Sequence, residues 1–137
     1  MGNERGPNGA GTLIEVVFDA IAAHWTHRRL QSRIRALQAD NVLLGALRAV
    51  EVRDWRFGDM WLSGEWHVLP GRVWLGSTTL GVESIDQVVR HGSSGEYMLG
   101  PGLDAVVLTL HGPRGIVELA MAASSEAWFR EAVAARS

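Results

Sequence analysis

Residues 115–135 read GIVELAMAASSEAWFREAVAA. The first part, Gly115–Met121, has the aliphatic and β-branched content of a strand. A short break follows. Ser124–Ala135 then has the spacing of one amphipathic helix, with Trp128, Phe129, Ala132 and Val133 on its apolar face. Ser124 or Ser125 can serve as N-cap, and Glu126 suits the positive end of the helix dipole. The rest of the chain must supply the strands that this last strand pairs with and the core that this helix covers.

Working back from it, short candidate strands recur at a spacing of about ten residues: Val42–Arg53, Met60–Val68, Arg72–Leu75, Val82–Arg90, Glu96–Leu99 and Leu103–His111, with Gly115–Met121 as the seventh. The separators are turn-like: FGD at 57–59, LPG at 69–71, GSSG at 92–95, GPG at 100–102 and HGPR at 111–114. No long helix separates the strands, which argues against a parallel α/β sheet. The expected class is mainly β with α, an antiparallel sandwich or barrel.

The early hairpin, WLSGEWHVLPGRVWLG at 61–76, is rich in Trp, and the chain has 6 in all. Strand alternation places Trp66 in phase with Met60, Leu62 and Val68, hence inward. Trp61 alternates with Ser63, Glu65 and His67, hence outward. An outward indole is a candidate partner contact. The alternative is that a folded-back helix over Leu30–Leu37 covers it.

Seven strands followed by a Trp-bearing helix resemble the pleckstrin-homology (PH) architecture. The stretch 115–135 looks like its ending and the stretch 61–76 like its early hairpin. The layout of 42–137 is similar to that of small actinobacterial PH-like proteins of unknown function. The resemblance implies a seven-stranded bent barrel with one end plugged by the C-terminal helix, Trp128 being the plug. It also implies a protein or peptide partner at an edge strand or groove. Phosphoinositide-binding members carry a basic cluster in the first hairpin loop. Here that loop, Val52–Met60, reads VRDWRFGDM and sets two Arg against two Asp.

The 137-residue length suits one domain with its own core, and 47% hydrophobic with 20% charged residues is a globular balance. The absence of Cys excludes disulfides and thiolate zinc sites, and fits a reducing, cytoplasmic setting. All 13 basic residues are Arg, as GC-rich coding would give. They stand against 15 acidic residues for a net charge of −2, which argues against a surface built to hold nucleic acid.

Residues 1–11 read as a flexible leader. Residues 12–39 read as an amphipathic helix, with Thr12 and Glu15 forming a capping box, and 40–137 as the PH-like barrel with its C-terminal helix. The helix changes face midway. Ile14, Phe18, Ile21 and Trp25 share one stripe, whereas Leu30, Ile34 and Leu37 lie nearly opposite. Leu13–Trp25 therefore points to a surface beyond the domain: self-association, a partner, or a membrane. Arg28, Arg29, Arg33 and Arg35 follow as a basic run suited to an anionic contact. No segment reaches the roughly 18 apolar residues needed to span a bilayer.

Catalytic signals are sparse. There is no G-x-S-x-G nucleophile setting. His24 and His27 share a helix face without a third ligand nearby. Glu65 and His67 read as a surface pair rather than an acid–base dyad. The sequence thus predicts a non-enzymatic adaptor module without cofactor, binding a protein through the barrel surface, Trp61 and the N-terminal helix. The alternatives are a peripheral membrane protein anchored by that helix, or a structural subunit of a larger assembly.

Overall fold

The computed structural model describes residues 28–93 and 103–134. Helix α1 covers 28–39 of the expected N-terminal helix; the remainder of that expectation, 12–27, lies outside the described residues, as does the expected strand Glu96–Leu99. Asn41, at φ 61°, turns the chain sharply out of α1, a conformation that Asn tolerates better than most residues. The strands β1 (Val42–Val52), β2 (Leu62–Leu69), β3 (Arg72–Leu75), β4 (Thr78–Gly81), β5 (Ser84–Ile85), β6 (Arg90–Ser93), β7 (Asp104–Gly112) and β8 (Gly115–Ala122) follow. A 3-10 turn, Ala123–Ser125, leads into helix α2, Glu126–Ala134.

The eight strands form one antiparallel sheet in the order β4-β3-β2-β1-β8-β7-β5, with β6 also paired to β7. Its centre is the β1–β8–β7 unit, in which Leu47 faces Leu119 and Leu119 faces Leu108. These leucines, with Leu43, Val106 and Met121, point to one side and are buried there around Trp66. The expectation that Trp66 points inward is met: it is fully buried, and its indole N–H donates to the Leu62 carbonyl at 3.3 Å. A bulge between Ala49 and Glu51 breaks the β1–β8 register, and Val50 is turned out to solvent there.

The sheet curls into a half-barrel. Gly112, at the end of β7, comes so close to Gly81, at the end of β4, that a Cβ on Gly112 would stand 2.0 Å from the Gly81 carbonyl oxygen. Only glycine permits that approach. The result is a curled antiparallel sheet with a C-terminal helix over its open side, compatible with a PH-like layout.

Two expectations need correction. The stretch Val82–Arg90 is not one strand. Gly76, at φ 58°, makes a tight β3–β4 turn with Leu75 opposite Thr78, so a short β4 precedes β5, and the chain leaves the sheet before β6. Glycine at a two-residue hairpin turn is the local cause of the β3–β4 hairpin. The second correction concerns the plug. Phe129 and Val133 enter the core, whereas Trp128 is half-buried against its margin. The α2 backbone is held in place by the Gly71 N–H, which donates to the Val133 carbonyl at 2.7 Å.

Truncation of Phe129 to Ala should therefore lower unfolding free energy by about 3–5 kcal/mol, and Trp128→Ala by clearly less. Urea denaturation of both variants checks the ranking; equal losses would mean that Trp128 shares the plugging role.

Candidate functional site

The outer face of the central sheet is built in rows. Ala46, Ala120 and Val107 lie side by side in register and are buried with Ala105. At one end, α1 covers the neighbouring residues: Ile34 is buried with Leu103 and Ala122, beside Leu30 and Leu44. The Gln38 amide also donates to the Ser125 hydroxyl at 3.2 Å, tying α1 to the turn before α2.

Trp61 lies on this outer side, as the alternation predicts, but it is half-buried against the alanine row, with the Arg48 guanidinium 4.5 Å from its ring centre. It thus covers its own sheet, at least in part. The next row is charged. Arg48 donates to Glu118 Oε1 at 2.5 Å and Arg90 to Glu118 Oε2 at 2.9 Å. Burial pushes the Glu118 carboxyl up, but the hydrogen bonds from Arg48 and Arg90, with their charges, outweigh it and hold the group below its ordinary value of 4.5.

Of the expected contact residues, Ile14, Phe18, Ile21 and Trp25 lie outside the described residues, as do His24 and His27. Arg28, Arg29, Arg33 and Arg35 are all exposed on α1. At 100° per residue they fall on two flanks, Arg29 with Arg33 and Arg28 with Arg35. Arg33 is ion-paired with Glu65. Glu65 and His67 do not act together: His67 instead stacks on Trp74, ring centres 4.6 Å apart. Arg53, in the first hairpin loop, donates to the Pro113 carbonyl, and Arg114 donates back to the Arg53 carbonyl. These two arginines clamp the loop onto the β7–β8 turn beside a shallow cleft of about 420 Å³. Among the described residues, no group of three or more His, Asp or Glu could hold a metal ion. No helix among them is long and apolar enough to cross a membrane.

A second groove, of about 290 Å³, runs between β5 and α2. Val82, Ile85 and Val133 form its apolar side, and Glu83, Ser84 and Arg130 its rim. Arg130 is fixed there: it bonds Glu126 at 2.9 Å and donates to the Asp86 carbonyl at 3.0 Å. Asp86 in turn pairs with His111 at 2.9 Å. The strand β5 is the terminal strand of the sheet on this side. The Asp86 N–H bonds Thr109 on β7, so by antiparallel alternation the N–H and C=O of Ile85 face away from β7. Sequence reading missed this groove, because a two-residue strand has no periodicity to detect. The signal that was present is the Glu126–Arg130 spacing of one helical turn.

No protein-family model, curated protein or solved structure matches the chain.

Because the Glu118 pKa is depressed in the folded state, its contribution to stability is fully present above the ordinary value of 4.5 and is lost as pH falls through the lower folded value. Glu118→Gln is expected to cost about 1–3 kcal/mol at pH 7 and to flatten the fall in stability below pH 4.5. Urea titrations from pH 7 to pH 3 check this; parallel pH profiles for the two proteins would contradict it.

Proposed function

We propose that the chain is a non-catalytic interaction module of PH-like architecture. It binds a protein partner through the barrel surface at the β5–α2 groove, and the N-terminal segment Leu13–Trp25 provides a second contact. The observation that carries this reading is the open edge of β5 beside α2. There, among the described residues, the sheet ends, no further strand pairs with the backbone groups of Ile85, and an apolar wall stands alongside. An exposed sheet edge next to a groove is a common way for a domain to take a partner segment, because main-chain bonds supply affinity and the groove supplies selectivity.

The charged residues nearby support a binding role over a reactive one. Arg130, Asp86 and His111 are engaged with one another and with Glu126. They form a braced rim rather than a nucleophile paired with a base.

A photo-crosslinking amino acid at position 83, in the groove, should give a discrete adduct with a partner protein in cells that make the full chain. The same probe at position 77, in the β3–β4 turn, should not. Absence of an adduct at 83, or the same adduct from both positions, would contradict the reading.

A further inference from the structure

We infer that the β5–α2 groove takes an extended basic segment of its partner, with small apolar side chains at alternate positions; this rests on the groove being the partner site. Charge points to the basic character. Glu83 lines the groove, Asp86 follows β5, and Glu126 reaches the rim through its bond to Arg130. The cation in the rim, Arg130, is already engaged by Glu126 and by the Asp86 carbonyl. Three carboxylates thus stand at the groove against the Arg130 guanidinium, with His111 beside Asp86. An acidic segment would meet repulsion there, whereas a basic one gains attraction and a faster encounter.

Geometry points to the extended, alternating character. Only a strand-like backbone can use the outward N–H and C=O of Ile85. Side chains of such a strand alternate between two directions. One set faces the α2 side, with Val82 and Val133, and the other the opposite side, where alternation from the buried Val82 places Glu83. The wall residues are nearly buried, Val82 at 8% and Val133 at 4%. The apolar wall thus exposes little surface within a cleft of about 290 Å³, so small side chains suit it better than aromatic rings.

The test uses the isotope-labelled full chain and two synthetic eight-residue peptides, one alternating Val with Arg and the other Val with Glu. Amide resonances are followed by NMR. The expected result is that the Val/Arg peptide shifts Ser84, Ile85, Val133 and Ala134 and binds about tenfold tighter than the Val/Glu peptide. The variant Glu83→Gln, at an exposed position of the lining, should weaken that binding about threefold. Tighter binding of the acidic peptide at these amides, or equal binding of both, would overturn the basic character while leaving the groove as the partner site. Shifts confined to other surfaces, or none, would overturn the inference. So would shifts at these amides on concentrating the chain alone, which would assign the groove to a second copy. Failure of the partner reading itself shows separately, as loss of the adduct at position 83.

Discussion

The pairing of β1 with β8 is the constraint on which the other parts of the molecule rest. It joins segments that are 70 residues apart at the Arg48–Glu118 contact, so its loop-closure entropy is met before any local reward. What offsets that cost is a sheet that is useful on both faces. The inner face sets leucine against leucine across β1, β8 and β7 and buries them around Trp66. The outer face sets small residues in the same register, so that Trp61 and α1 can lie close to the backbone. A slip of one residue would exchange the two faces, placing alanines in the core and leucines outside.

The candidate site follows from that frame. Once β8 is placed, the turn Ala123–Ser125 sends α2 over the open side, and Phe129 with Val133 fixes its depth. The β2–β3 turn then holds both flanks of the groove, since the Gly71 N–H bonds Val133 and the Gly71 carbonyl accepts from Val82. The groove is therefore braced by backbone bonds at its inner end, while its rim is made of side chains. The Arg48–Glu118–Arg90 row does a different job. It satisfies a largely covered carboxylate with two guanidiniums where a lone charge would be costly.

Much of the sheet was legible in the sequence because long strands carry period-two patterns. β1, β3, β7 and β8 fall within about one residue of their expected limits, and Trp66 and Trp61 lie on their expected sides. The errors lie where pattern is short or ambiguous. β4 lies in the stretch 76–81 that the sequence pattern assigns to no strand, and Val82–Arg90, read as one strand, holds β5 and only the first residue of β6. Trp128 and Phe129 are neighbours on one helix, and periodicity could not tell which of the two enters the core. The β5–α2 groove was invisible for a different reason: it joins residues 82–85 to residues 130–134, and nothing local signals that meeting. Of the residues expected to make contacts, Trp61 combines outward placement with cover of its own sheet, and Arg33 is paired with Glu65.

The most direct test of this account is the cross-strand register of the central unit, read from nuclear Overhauser contacts in the full chain. The account predicts contacts between Ala46 and Ala120, between Arg48 and Glu118, and between Leu108 and Leu119. Contacts displaced by one residue, such as Ala46 with Leu119, or no contacts between β1 and β8, would contradict it. They would remove the ordered faces on which both the core and the groove depend.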